Sequence, residues 1–435
     1  MLKIIFKNLW HRRGRNAWLF IELILVTALG WYIFDTPLVS IADTSLPLGY
    51  EPERMVNISM GIFPEQSPLF KSEQADSASR AESYARILAD LEAMPEVESV
   101  SANADWSGLG GQGTSFTQYF AHTAGDSLHG YILTCSYYAG TKFFETMGIK
   151  SAPGSPSPRE LSQMDFDYSN GVILTRAAAE RFWPGENAVG KAFYYWGNDS
   201  VPTIKVLGVV ENVRYQSSLR SYVMAFTPNA RWEAPEEDFK FCVRLKTGVS
   251  PRVFSERITE QRSELQAGNY FIRSAKPYED MIRHTEERQG IHAERRRQIV
   301  VGLFFLLNLV LGIVGSFFLQ TERRTGEVGV HRSYGATSRN IVTMIVGEAL
   351  VLAFIAFVVG DAIYLQYALS KGLAIGYVNN GSLTLIDCWQ TNFWPHFGVV
   401  SAFMLAVILL CAFIGAIMPA LRASRINPVD ALRDE

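Results

Sequence analysis

The chain has 435 residues, a formal net charge of -3 and a sequence pI near 6.2, so it has no global basic field with which to neutralise nucleic-acid phosphates. Its four cysteines, Cys135, Cys242, Cys388 and Cys411, contain no CxxC pair and no histidine at metal-ligand spacing, which argues against a zinc site. Apolar residues concentrate toward the two ends of the sequence rather than spreading evenly along it.

Residues 1–16 are expected to form a cytoplasmic amphipathic elbow. Leu2, Ile5, Phe6 and Leu9 share one helical face against Lys3, Lys7 and Asn8, as suits a helix lying in the membrane interface. A first transmembrane span is expected at 17–34, interrupted only by Glu22 and preceded by Lys3, Lys7, Arg12, Arg13 and Arg15. A cleaved signal peptide, with Ala28 and Gly30 near the cut, is the competing reading. The apolar run is long, however, and the later spans alternate correctly only from a cytoplasmic start.

Residues 35–297 have ordinary globular composition and suffice for a sizeable core in two subdomains. Met55 to Ile62 reads as a strand, Ser79 to Met94 as a helix with Tyr84, Ile87, Leu88 and Leu91 on one face, and Val97 to Ala102 as a strand. The pattern repeats as strand Phe239 to Leu245, helix Pro251 to Leu265 and strand Tyr270 to Ser274. Two such β-α-β halves around a middle section predict an α+β fold with an inserted subdomain. The run Ser151 to Pro158 (SAPGSPSP) is expected to be a surface loop. Cys135 and Cys242 both fall in predicted strands of this domain. An oxidising compartment would permit them to pair, while buried free thiols are the simpler reading.

Gly185, Gly190 and Lys191 stand at the spacing of a phosphate-binding loop. Residue 192 is alanine, so the magnesium-holding hydroxyl is missing, and Trp183-Pro184 occupies the place where a buried strand should end. The loop is rejected as a nucleotide site. Histidines 122, 129, 284 and 292 lack ligand spacing, and no triad or paired carboxylate stands out, so a hydrolase reading has nothing specific to rest on.

Three further spans are expected at 298–320, 341–365 and 397–418, separated by a cytoplasmic loop at 321–340 and an outer loop at 366–396, with a cytoplasmic tail at 419–435. Arg323, Arg324, Arg332 and Arg339 crowd the first loop, and Arg422, Arg425 and Arg433 the tail, whereas the outer loop has only Lys371. The positive-inside rule therefore places both termini in the cytoplasm and 35–297 outside. Arg295, Arg296 and Arg297 oppose this assignment and are read as the base of a helix continuing outward. Glu22, Asn308, Glu348 and Asp361 fall inside spans, where an acid at the helix centre costs about 2.5–3.5 kcal/mol on insertion scales. Interhelical hydrogen bonding is the expected role of all four, ahead of a proton or ion pathway.

Within 321–340, Thr325 is placed to cap a short helix, Glu327 lies in its first turn, Gly335 supplies a left-handed terminator, and Ser338 is placed to cap the third span. The result would be a short rigid helix tied at both ends to membrane helices. The loop reads Thr321-Glu-Arg-Arg-Thr-Gly-Glu-Val-Gly-Val-His-Arg-Ser-Tyr-Gly-Ala-Thr337, which resembles the ER-x-x-EIG-x-R-x-x-GA-T signature of MacB/FtsX-type ABC permeases. The tail from Pro419 to Arg433 is similar to that family's tail at Pro419, Ala423, Pro428, Ala431 and Leu432. Phe143 to Ile149, Phe182 to Lys191 and Val206 to Val213 are similar to the MacB-type periplasmic core. The sequence departs from the signature at His331 and at Ser333-Tyr334, positions that bear on the fit to a particular ATPase.

The resemblance implies a non-catalytic permease subunit of the bacterial inner membrane, with a MacB-like core at 35–297 and an FtsX-like domain at 298–430. It holds no cofactor of its own, because ATP would be bound by a separate cytoplasmic ABC ATPase. Glu327, Val328, Gly329, Val330, His331, Arg332, Tyr334, Gly335 and Ala336 would contact that ATPase, with Pro419, Arg422, Arg425 and Pro428 in the adjoining tail. A second permease copy or paralogue, membrane lipids, a periplasmic adaptor and an outer-membrane component are the other implied partners; nucleic acid is not one. Export or efflux from the periplasm or outer leaflet is the leading activity. A mechanical regulator of a cell-wall enzyme, a membrane-anchored sensor and a tethered outer enzyme are the alternatives.

Overall fold

A computed structural model describes residues 13–104, 109–110, 115–120, 129–138, 140–164, 170–194, 204–217, 220–229, 238–322, 330, 333–373 and 388–425. The chain divides into two compact units: Met1–Ala42, Ala293–Gly376 and Asp387–Glu435 form one, and Asp43–His292 with Tyr377–Ile386 form the other.

The helical unit is built on α1 (Arg13–Asp43), α8 (Ile291–Glu322), α9 (Ser338–Lys371) and α10 (Phe393–Ala423), each long and apolar enough to cross a bilayer. Every one extends past the expected span at both ends, and α1 does so through Pro37, because helical stability in a folded protein comes more from packing than from local propensity. Arg295, Arg296 and Arg297 accordingly lie within the first turns of α8. The packed interior carries stripes of small residues at four-residue spacing: Ala349 and Ala353, then Ala356 and Gly360, on α9, and Ala412, Ala416 and Ala420 on α10. Small residues let helix backbones approach closely where lipid offers no hydrophobic driving force. At Gly360 a Cβ would lie 2.7 Å from Thr27 Cβ and 2.8 Å from the Ile24 carbonyl oxygen of α1. Backbone cannot step aside there, so Gly360→Val is expected to cost about 1–3 kcal/mol by overpacking. Thermal unfolding of the detergent-solubilised protein checks this, and an unchanged midpoint would refute the close contact.

The second unit confirms the two-half reading. Strand β1 (Met55–Ile62), helix α2 (Ser77–Glu92) and strand β2 (Val97–Ala104) form one half; β9 (Phe239–Leu245), α6 (Pro251–Glu260) and β10 (Tyr270–Pro277) form the other. Their strands make one antiparallel sheet in the order β10-β1-β9-β2, so each half is a split β-α-β unit with a strand of the other half inside it. Strand alternation explains the core. Phe239, Phe241, Val243 and Leu245 of β9 face the helices with Tyr84, Ile87, Leu91, Phe254 and Ile258, while Cys242 points to the opposite face with Met55.

Between β2 and β9 lies the inserted subdomain. Its strands are β3 (Ser115–Phe120), β4 (His129–Tyr138), β5 (Gly171–Thr175), β6 (Ala192–Phe193), β7 (Ile204–Val210) and β8 (Met224–Asn229). They form a mixed sheet in the order β3-β4-β8-β5-β7-β6, accompanied by α3 (Phe143–Met147), α4 (Pro158–Gln163) and α5 (Arg176–Phe182). Helix α7 (Tyr278–Arg288) follows β10 and completes the unit. Leu133, Cys135, Tyr137, Phe143, Phe144 and Phe226 share one core with Met55 and Cys242, so the two sheets are sealed by a common apolar layer. Cys135 and Cys242 are both buried there as free thiols. Burial pushes the Cys242 thiol up to about 12, which keeps it protonated at neutral pH.

The stretch 151–158 is more than a surface loop. Ser151 bridges to Val210, the Ala152 N–H donates to the Val209 carbonyl at 2.9 Å, and Ser155 Oγ accepts from the Val209 N–H at 2.8 Å. Ser157 then forms a capping box with Glu160 that starts α4. The Pro- and Ser-rich composition forbids strand and helix interiors but supplies caps and edge contacts, which is how these residues are used. Gly185 to Lys191 follows helix α5 and precedes strand β6, the reverse of a phosphate loop's strand-then-helix order, and Lys191 is paired with Glu186.

Candidate functional site

Two places in the helical unit concentrate polar chemistry: the segment joining α8 to α9, and a network among α1, α9 and α10.

Of the segment 321–340, Thr321, Glu322, Val330 and residues 333–340 are described; Glu327, Val328, Gly329, His331 and Arg332 lie outside the described residues, as does Thr325. The Tyr334 N–H donates to the Val330 carbonyl at 3.2 Å, closing one helical turn. Gly335 follows with φ +87°, a left-handed conformation that ends the turn without a Cβ penalty. Thr337, not Ser338, caps α9: its side chain accepts from the Asn340 N–H at 3.3 Å. Ser338 is drawn off by a tertiary partner, donating its hydroxyl to the Ser424 carbonyl at 3.0 Å and so tying the start of α9 to the end of α10. Tyr334 is 88% exposed and Val330 44% exposed, while Ala336 is partly buried against the bundle. An exposed aromatic one helical turn from an exposed valine is a surface suited to a protein partner.

The tail residues flank this segment. Pro419 is buried inside α10, Arg422 lies over the Phe318 ring of α8 at 5.8 Å, and Arg425 is exposed just past the helix end. Pro428 lies outside the described residues.

The four intramembrane polar residues divide. Glu22 accepts from Ser316 Oγ at 3.0 Å, linking α1 to α8, and its carboxylate sits where a Cβ on Gly312 would come within 2.9 Å. Asp361 of α9 accepts from Ser401 Oγ of α10 at 2.7 Å, and Ser401 in turn accepts from Trp31 Nε1 of α1 at 3.1 Å. Glu348 is buried in the bundle. Asn308 departs from the expectation, since it is exposed on α8 and donates to the Phe304 carbonyl of its own helix at 2.8 Å. The i−4 carbonyl satisfies the amide without a second helix, so nothing draws it inward.

Sequence reasoning missed the most buried pair of the unit. His396 Nε2 lies 2.6 Å from Asp35 Oδ1, with side chains 3% and 4% exposed. Trp31 stacks on Tyr364 at 4.2 Å and on Phe397 at 5.3 Å beside this pair, and Trp389 meets the His396 ring edge-on at 5.7 Å. Hydrophobic walls in low dielectric strengthen the attraction between such groups and raise the cost of separating them. The sheet unit holds a second missed feature. Arg214 and Arg220, both fully buried, grip its first segment: Arg214 donates to the Leu46 carbonyl at 2.7 Å and the Asp43 carbonyl at 3.2 Å, and Arg220 Nε lies 3.2 Å from Asp43 Oδ1. The only signal in the sequence was two arginines near an apolar strand. Among the described residues no cluster of histidine, cysteine or acidic side chains has the geometry of a metal site.

Residues 299–428 match the family model "FtsX-like permease C-terminal". The chain is 23% identical over 301 residues to the macrolide export ATP-binding/permease protein MacB of Chromobacterium violaceum, covering 68% of this chain and 42% of that protein. It is 32% identical over 158 residues to the pyoverdine export ATP-binding/permease protein PvdT of Pseudomonas putida, covering 35% of this chain and 22% of that protein. The chain therefore spans less than half the length of either relative. Among solved structures, the periplasmic region of MacB from Actinobacillus actinomycetemcomitans aligns with 55% of this chain and 94% of that one, at 17% identity and a TM-score of 0.30.

Proposed function

We propose, taking as premise the FtsX-like permease domain formed by residues 299–428, that this chain is the membrane subunit of an ABC-type machine. In this reading a separate ATPase grips the segment between α8 and α9 from the cytoplasm. A second copy or a paralogous permease completes the complex, and residues 35–297 work outside the membrane in export or efflux. The observation that carries it is the turn at Val330 to Thr337, which presents Tyr334 outward between two apolar spans. Membrane helices satisfy their own hydrogen bonds and move as rods, so a push on that turn travels along α8 and α9. In sequence, α1 and α8 run directly into and out of the sheet unit and would carry the motion to it. The names of the two relatives, each an export ATP-binding/permease protein, favour the same class of work.

Sidedness is the decisive test. With the half-exposed Cys388 of the outer loop first replaced by serine, a Tyr334→Cys variant is expected to react with a membrane-impermeant maleimide in inside-out vesicles and to stay unlabelled in intact spheroplasts. Labelling from the outer face would sink the proposal, because an ATPase could not then reach the turn.

A further inference from the structure

At the end of the bundle where α1 and α9 finish and α8 begins, a cavity of about 530 Å³ opens between the three helices. Tyr32, Ile33, Arg297, Tyr364, Tyr367 and Lys371 are among the residues that line it. Its depth follows from the helices themselves. Arg297 lies two residues before the apolar run of α8 that starts at Ile299, Lys371 is the last residue of α9, and the tyrosines stand where apolar spans give way to polar residues. Tyrosine and long basic side chains at that level are the usual neighbours of lipid headgroups.

The chemistry of the lining selects an anion with a greasy body. Lys371 has no acidic partner within 4 Å among the described residues, and Arg297 uses only Nη2 toward Glu294, leaving its other donors available. The acid that also lines the cavity, Asp35, is already engaged by His396. Pro37 removes the N–H that would have bonded to the Ile33 carbonyl, so an acceptor on the cavity wall lacks its helical donor. Two cations, tyrosine hydroxyls and a released carbonyl, lining one cavity with apolar residues such as Val301 and Leu373, match a phosphate diester carrying hydroxyls and acyl chains.

We propose that this cavity binds one anionic phospholipid, with its phosphate against Arg297 and Lys371 and its chains running down between α1, α8 and α9. The inference rests on the spans crossing a bilayer and not on coupling to an ATPase, so the two can fail separately. The bland account of each cation is local: Lys371 suits its helix C-terminus and Arg297 its i−3 acid. That account predicts no lipid preference.

Native mass spectrometry of the full chain, delipidated in detergent and titrated with dioleoyl phosphatidylglycerol or dioleoyl phosphatidylcholine, tests the site. The wild type is expected to favour phosphatidylglycerol by about tenfold or more, given the attraction of two basic residues for an anionic headgroup. Arg297→Gln with Lys371→Gln should abolish the preference, and Arg422→Gln at the opposite end of the bundle should leave it unchanged. Val301→Trp, which fills the cavity without altering charge, should also release the bound lipid. Glycerol phosphate, a headgroup without chains, should fail to compete. The proposal is overturned by equal affinity for the two lipids, by a preference that survives the double substitution or the cavity-filling variant, or by displacement with glycerol phosphate.

Discussion

His396→Leu is expected to destabilise the helical unit by about 1–3 kcal/mol, the usual cost of leaving a buried polar group without its hydrogen-bond partner. The substitution strips Asp35 of a partner 2.6 Å away in a site almost closed to solvent, walled by Trp31 and Tyr364. Thermal unfolding in detergent measures the loss, and a double-mutant cycle with Asp35→Leu isolates the pair. The double variant should cost less than the sum of the two single ones, because it no longer leaves one member behind. Additivity of the two losses would show that the pair is not coupled, and the buried contact would have to be abandoned as a brace between α1 and α10.

Gly335→Val carries the second large expected effect, and under the proposed function it bears on coupling where His396→Leu bears on stability. Among the described residues no side chain or backbone lies within 4 Å of a Cβ built at Gly335, so the variant meets no steric obstacle there. The left-handed φ of +87° is the obstacle. Holding a β-branched residue there costs about 1–2 kcal/mol, enough to redirect the turn that presents Tyr334. Insertion and folding should be unaffected, while stimulation of ATP hydrolysis in the partner ATPase should be largely lost. Gly335→Asn, which tolerates this conformation, should retain most of it. Glu327→Lys, in the first turn of the helix expected from sequence, should behave like the valine variant. Normal stimulation in both Gly335→Val and Glu327→Lys would contradict the coupling role.

The features that were legible in the sequence are those written in local periodicity. The four spans, the paired β-α-β halves and the glycine that ends the exposed turn all follow from apolar runs, alternation at period two and one residue type that tolerates positive φ. Where local signals tie, the sequence is silent. Thr337 and Ser338 are adjacent and chemically alike as caps, and the choice between them depends on Ser424, 86 positions away. Asn308 and Asp361 are both polar residues within apolar runs, yet one bonds its own helix and the other reaches across to Ser401.

Asp35 and His396 show most clearly why the rest was hidden. Each falls one residue beyond an expected span, 17–34 and 397–418, because each stands where the continuous apolar run ends and hydropathy gives no reason to extend it. The helices do not close there: α1 continues to Asp43 and α10 begins at Phe393. Composition and periodicity alone determined that this is a four-span protein with a two-part α+β domain, since burying apolar surface is a property each segment carries with it. Which acids find partners, which hydroxyl caps and which cations line a common cavity were decided only by tertiary packing, because those outcomes require residues tens to hundreds of positions apart to meet in a medium that offers polar groups no other partner.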